Sequence, residues 1–238
     1  MERPPRELLF DIETSNLFGD MGALLTFGYQ WRGEMKKPIA ISIHDYPLFK
    51  KEPWNDKRLV MDAYKILSQA DSLIFHYGDD FDLPFFKTRL IEHGKYFPKK
   101  HTVDTCKAAW RHLKLSARLE NLAEFFEITP KVKVKKRTWK QAGFGGKKAL
   151  EELRVRCIGD VQTLGEAVEV MTPYLKLINR NLFFKEKGCP NCGSKRIRVD
   201  EKKYYASDAK IRQTYECQEC KTRIKGEAIN SAGVFRHE

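Results

Sequence analysis

Two pairs of cysteines near the carboxyl end constrain this chain more than any other feature. Cys189-Pro190-Asn191-Cys192 and Cys217-Gln218-Glu219-Cys220 are knuckles separated by 24 residues. Each pair can offer two thiolates to one ion from a tight turn. Two such turns complete a tetrahedral site suited to zinc, which has no directional d-electron preference. The interval is slightly longer than the usual spacing, and a longer hairpin would absorb it. All four positions are Cys, so no coordination position stays open for chemistry, and one structural Zn2+ is expected. Segments below ~40 residues rarely bury enough apolar surface to fold alone, so metal would supply much of the folding energy here. Disulfides are the competing reading, and the paired spacing in a chain without secretory features counts against them. Cys106 and Cys157 stand alone among apolar and helix-forming residues and read as small buried hydrophobes.

The remaining sequence reads as a larger α/β domain. Strands are expected over 7–13, 24–31, 38–44, 72–76 and 101–105, from apolar runs bounded by Gly- or Pro-containing turns. The first three follow one another directly, which implies a meander. Helices are expected over 57–70, 83–93, 106–113, 119–126 and 150–171 from their apolar stripes. Pro173 closes the last of these, a basic and aromatic connector follows, and the cysteine segment ends the chain. The expected domains are 1–175, a connector over 176–186, and 187–238. The longest apolar stretches are short clusters such as Leu8 to Phe10, well under the ~20 residues that cross a bilayer. The amino end lacks the apolar core of a secretory signal, so the expected address is cytoplasmic, with no membrane partner.

Three groups of acids carry chemistry. Asp11-Ile12-Glu13 ends the first strand, and residues two apart on a strand point to the same face, so two carboxylates sit side by side. Like charges so placed repel, and a divalent cation with oxygen ligands is the usual remedy. A solvated strand end is the alternative. Asp82, in Gly78-Asp79-Asp80-Phe81-Asp82-Leu83-Pro84, stands at a helix start, where capping is the alternative role. Asp160 lies inside a helix between Ile158 and Val161, where an acid gains little from local structure and needs a partner. Arg156, four residues earlier, offers a surface ion pair worth only ~0.3 to 0.5 kcal/mol.

Together these motifs resemble a known family. Leu8-Leu9-Phe10-Asp11-Ile12-Glu13-Thr14, His76-Tyr77-Gly78-Asp79-Asp80-Phe81-Asp82-Leu83-Pro84-Phe85 and Cys157-Ile158-Gly159-Asp160-Val161 look like the three motifs of the DEDD 3′-5′ exonucleases. Those enzymes have the RNase H-like fold and include the proofreading domains of DNA polymerases. Val103-Asp104-Thr105 is similar to the family's stretch between the second and third motifs. The resemblance, over about residues 6 to 171, implies a mixed five-stranded sheet flanked by helices, and the cysteine segment after it resembles a small four-cysteine zinc ribbon. It also implies that Asp11, Glu13, Asp82 and Asp160 bind two divalent ions, Mg2+ or Mn2+, for hydrolysis of a terminal phosphodiester. Active members carry a Tyr four residues, or a His five residues, before the last Asp. Here those positions hold Arg156 and Val155. Arginine stays protonated and is no general base, but its planar fork can position a phosphate or the attacking water. Tyr77 stands where the family often has Asn. A catalytically weak or silent nucleic-acid-binding or adaptor protein that keeps the fold is the alternative reading.

Charge fits a nucleic-acid partner. The formal net charge is +12, an excess that favours a polyanion. Between Lys131 and Arg156 ten cations stand against Glu151 and Glu152 only. Lys135, Lys136, Arg137, Lys147 and Lys148 are candidates for phosphate contacts, and Trp139 or Phe144 for stacking on an unpaired base of a single strand, from a glycine-loosened loop. The alternative is a solvated loop with Trp139 in the core. In the cysteine segment, 195–199 and 210–215 alternate charge with apolar groups as a hairpin would, and such a ribbon can hold nucleic acid or dock a protein partner. His76, His93, His101 and His112 lack the spacing of a metal or acid-base motif and read as structural.

Overall fold

The computed structural model describes residues 6–172, 174, 188–189, 194–207, 210–219, 221 and 223–230. It falls into two compact units, Pro5–Leu175 and one containing Lys176–Glu238. The first is a five-stranded sheet with helices on both faces. Strands β1 (Glu7–Thr14), β2 (Leu24–Trp31) and β3 (Ile39–Ser42) form the antiparallel meander, and β4 (Ser72–Phe75) and β5 (His101–Asp104) extend it in parallel, in the order β3-β2-β1-β4-β5. Parallel neighbours need crossovers, and helices α1 (Lys57–Ser68) and α2 (Asp82–Glu92) precede and follow β4.

Alternation along β1 decides which residues meet which layer. Leu8, Phe10 and Ile12 are buried with α1 residues Leu59, Val60, Ala63 and Leu67. Leu9, Asp11 and Glu13 take the other face, which the 25-residue helix α6 (Lys147–Met171) covers. The helix approaches closely because Gly28 of β2, the partner of Asp11 in register, has no side chain. A Cβ there would fall 2.7 Å from Cys157 Sγ.

A buried ion pair braces the opposite layer. Asp56, just before α1, accepts from Arg89 Nε at 2.8 Å and Nη2 at 2.9 Å, and from the Leu24 N–H at 2.7 Å, with His93 Nε2 3.0 Å away. His93 is therefore structural, as its sequence context suggests. Asp104 caps the short helix α3 (Thr105–Ala108), accepting from the N–H groups of Cys106 and Lys107. It also accepts from those of Tyr77 and Asp79, which pins the turn that leads into α2. Tyr77 sits there with φ 65°, in the left-handed region.

Several elements differ from expectation. The basic stretch expected as a loose loop contains α5 (Lys136–Gly143), following the short helix α4 (Leu119–Phe125). Only Thr138 and Ala142 of α5 are fully buried, so its apolar stripe is hidden among cations in the sequence. α6 begins three residues earlier than its apolar pattern, because Lys147 to Ala149 form its first turn. β3 is shorter than expected, since Asp45 Oδ2 accepts from the Ser42 N–H and turns the chain into a 3-10 helix.

In the second unit, β6 (Ile197–Ser207), β7 (Lys210–Cys217) and β8 (Arg223–Asn230) form an antiparallel sheet in that order, one strand more than the expected hairpin. Cys192, Cys220 and the connector over 176–186 lie outside the described residues. Among the described residues no helix is long and apolar enough to cross a membrane.

Candidate active site

The acids meet where β1, α2 and α6 come together. One carboxylate oxygen from each of Asp11, Glu13 and Asp160 lies within 4.8 Å of the others. Glu13 and Asp160 are buried and Asp11 half-buried. Asp82, in the first turn of α2, is 4% exposed, and its Oδ1 accepts from the Ile12 N–H at 3.1 Å, between the two β1 acids in sequence. Asp82 thus bonds to the strand that carries Asp11 and Glu13 and does not cap its own helix. Strand alternation and the helical position of Asp160 bring three acids together, and the bond to Ile12 holds Asp82 beside their strand.

Burial raises all four. Asp11 is pushed well above the usual carboxylate range by desolvation, and the nearby charges of Asp160, Asp82 and Glu13 push it further. Glu13 is pushed up to about 7 by burial, against the pull of Arg156 and of the Trp139 hydrogen bond. Asp82 reaches about 7 for the same first reason, opposed by the Ile12 N–H. Desolvation also raises Asp160, opposed by Lys131 and Arg156. Clustered acids with raised pKa values are a recurring mark of functional sites.

Two cations hold this cluster. Lys131 Nζ lies 3.1 Å from Asp160 Oδ2. Arg156 Nε lies 2.9 Å from Glu13 Oε1, and its Nη2 lies 3.3 Å from Asp160 Oδ2. Its Nη1 donates to the Val132 carbonyl at 2.7 Å. The Arg156 fork, expected to position phosphate or water, is therefore spent on the carboxylates and the backbone. The pairing with Asp160 weighed from the sequence does form, but inside the site rather than on the surface.

Trp139 differs from expectation in the same way. Its indole Nε1 donates to Glu13 Oε2 at 2.7 Å, and the Arg156 guanidinium lies 5.1 Å from its ring centroid. That half-buried ring orients a carboxylate and is not displayed for stacking. Asp160 Oδ1, by contrast, is buried without a hydrogen-bond partner. Unsatisfied buried acceptors are costly, and this one fits a cation.

Lys135, Lys136, Arg137, Lys147 and Lys148 are all exposed. All but Lys136 line an open groove of about 1070 Å³ between α5 and the start of α6, together with Lys133 and the exposed Phe144. The chemistry of the groove suits a polyanion.

Sequence reasoning counted Lys131 only as one more cation of the basic block and gave Cys157 no role. The structure puts Cys157 Sγ 3.4 Å from the Asp11 carbonyl. The available signal for Lys131 was Gly159: a Cβ there would fall 2.6 Å from Val132 Cγ2, so the glycine lets the 131–134 segment lie against α6. Of the histidines, His76 Nδ1 bonds Thr105 Oγ1 at 2.9 Å, and none lies among the metal-capable clusters of the described residues.

In the second unit, Cys189 and Cys217 are buried. The Cys189 N–H donates to the Ser194 carbonyl at 2.8 Å, and the Cys217 carbonyl accepts from the Lys221 N–H at 2.9 Å.

Comparisons with known proteins agree with this architecture. A solved structure of the family B DNA polymerase from the hyperthermophilic archaeon Pyrobaculum calidifontis matches with a TM-score of 0.55 and 15% identity, covering 72% of this chain and 25% of that one. At that identity the likeness is one of fold, and this chain corresponds to a quarter of that polymerase. No curated protein sequence matches. A family profile described as the RNase_H superfamily matches residues 8–137, which hold three of the four acids. By its sheet order, its acid cluster and that match, the chain belongs to the RNase_H superfamily.

Proposed function

We propose that this chain is a metal-dependent 3′-5′ exonuclease of the DEDD type, hydrolysing terminal phosphodiesters of single-stranded DNA or RNA. The observation that carries the reading is the convergence of Asp11, Glu13 and Asp160, with Asp160 Oδ1 buried and unpartnered. An all-carboxylate donor set suits Mg2+ or Mn2+, so the residues present fit such an ion. When bound, a divalent ion supplies Lewis-acid stabilisation of the charge that develops on the scissile phosphate. Asp11, Glu13 and Asp160 would hold it, with Asp82 facing the same space from α2.

The other side chains have positioning work. Trp139 and Arg156 fix the Glu13 carboxylate, and Lys131 and Arg156 fix Asp160. Lys133, Lys135, Arg137, Lys147 and Lys148 would pair with phosphates along the strand, with Lys136 beside them, and Phe144 is exposed for stacking on a base. The 3′-5′ polarity rests on the motif resemblance, and likeness to a DNA polymerase supports a nucleic-acid substrate. Cys189, Cys192, Cys217 and Cys220 would hold one structural Zn2+ in a ribbon that grips the strand or docks on a protein partner.

One observation favours a second reading. Lys131 and Arg156 already pair with the acids, as they would in a silent nucleic-acid-binding relative. Single strands labelled at the 5′ end and incubated with Mn2+ separate the two. A ladder of shortened labelled products, absent for Asp11→Ala, supports the exonuclease. Binding without shortening supports the silent reading.

A further inference from the structure

We infer that Lys131 and Arg156 take the place of one of the two divalent ions that the motif resemblance implies, so that this site holds a single ion. The inference rests on the nuclease reading above and concerns how its acids are neutralised.

The geometry divides Asp160 between two kinds of cation. Its Oδ2 is shared by Lys131 Nζ at 3.1 Å and Arg156 Nη2 at 3.3 Å. Its Oδ1 is buried and unpartnered, and only this half of the carboxylate is open to metal. Glu13 Oε2 accepts from Trp139, and Oε1 lies 2.9 Å from Arg156 Nε, an ion pair without hydrogen-bond geometry. The converging set holds one acid triad, Asp11, Glu13 and Asp160, which suits one ion. Asp82 is absent from that triad and is tied to the Ile12 N–H.

Charge gives the same count. Four ionised carboxylates around two divalent ions are neutral before substrate arrives. Four carboxylates with Lys131, Arg156 and one divalent ion are equally neutral, and Glu120, 4.0 Å from Lys131, is more than half exposed and screened by solvent. A second divalent ion would leave two surplus positive charges in a partly buried site, next to ammonium and guanidinium groups that cannot move away cheaply. Those groups are fixed by the fold. The Lys131 side chain is 15% exposed and that of Arg156 17%, and Arg156 is anchored to the Val132 carbonyl. Gly159 supplies the close approach that brings the Lys131 segment onto α6.

The test is the number of Mn2+ ions bound by the zinc-loaded full chain at neutral pH, measured by calorimetric titration and by electron paramagnetic resonance. Wild type should bind one Mn2+ per chain and show the resolved hyperfine signal of an isolated ion. The double variant Lys131→Met with Arg156→Met should bind two, with the exchange-broadened signal of ions about 4 Å apart. Lys131→Met alone, which keeps the Arg156 anchor, serves if the double variant does not fold, and should bind a weaker second ion. Two ions in wild type would overturn this inference and leave the nuclease reading standing. No bound Mn2+ and no strand shortening would overturn both. A count of one in the folded double variant, with stability lowered, would overturn this inference and leave the two cations a structural role only.

Discussion

Gly159 and Val132 touch where any larger residue would collide: a Cβ on Gly159 would fall 2.6 Å from Val132 Cγ2 and 3.5 Å from its Cβ. Val132 follows Lys131 and accepts from Arg156, so this contact sets the position of both cations of the acid site.

Gly159→Ala should therefore displace the Lys131 segment. Helix propensity favours alanine by roughly 1 kcal/mol, and overpacking opposes it by about 1–3 kcal/mol, so the net change in unfolding free energy should be a loss of about 0–2 kcal/mol. Affinity for Mn2+ should change much more than stability does. Denaturant unfolding and calorimetric titration of the same variant check both. A stable variant with wild-type Mn2+ affinity would mean the contact does not matter to the site.

Much of the fold was legible because the sheet is regular. β2 coincides with its expected bounds, and β1, β4 and β5 differ from theirs by one residue, since buried strands bounded by turns announce themselves. The acids Asp11 and Glu13 could be paired from strand alternation alone. α5 was not legible, because a helix that fully buries only Thr138 and Ala142 among cations has too narrow a stripe. Nor were the roles of Lys131 and Trp139, or the contact of Arg156 with Glu13, whereas the i,i+4 pair of Arg156 with Asp160 was. Each of the first three is decided by long-range packing, Trp139 meeting Glu13 across 126 positions, and composition makes all of them look like a nucleic-acid patch.

Removing one acid should relieve the cluster when metal is absent. In chelator, Asp11→Asn should raise the melting temperature, because it takes one charge from a site where burial and three neighbouring acids disfavour ionisation. Mn2+ should stabilise wild type and leave the variant nearly unchanged. Calorimetric melting with and without Mn2+ reads both effects. A lower melting temperature for Asp11→Asn in chelator would contradict the picture of mutual repulsion.

His76 should make the protein acid-sensitive. His76 Nδ1 is hydrogen-bonded to Thr105 Oγ1 at 2.9 Å, and that hydroxyl donates to the Phe75 carbonyl at 3.0 Å. Burial lowers the folded pKa to about 4, below the ordinary histidine value. The folded state therefore resists protonation. Its contribution is intact above pH about 6.5 and is lost as pH falls from there toward about 4, by up to about 3 kcal/mol. Urea unfolding from pH 7 to 4 should show this slope, and His76→Gln should flatten it. An equal slope in the variant would assign the acid limb to other groups.

The cysteine unit should depend on zinc and the sheet domain should not. Cys217→Ser should lower the zinc content of the purified chain from one ion toward none, read by elemental analysis, and open the amides of β7 to hydrogen exchange. Exchange in β1, β2 and β4 should stay at wild-type rates, because these strands belong to a different compact unit. Unchanged zinc content would remove the four-thiolate site.

The most direct measurement is anomalous diffraction at the manganese edge from crystals of the full chain soaked in Mn2+. The account predicts a peak about 2.1 Å from carboxylate oxygens of Asp11, Glu13 and Asp160. It also predicts that Asp160 Oδ1 is among the ligands and that Lys131 remains on Oδ2. An empty triad at saturating Mn2+, with Lys131 and Arg156 still closed over the acids, would contradict it.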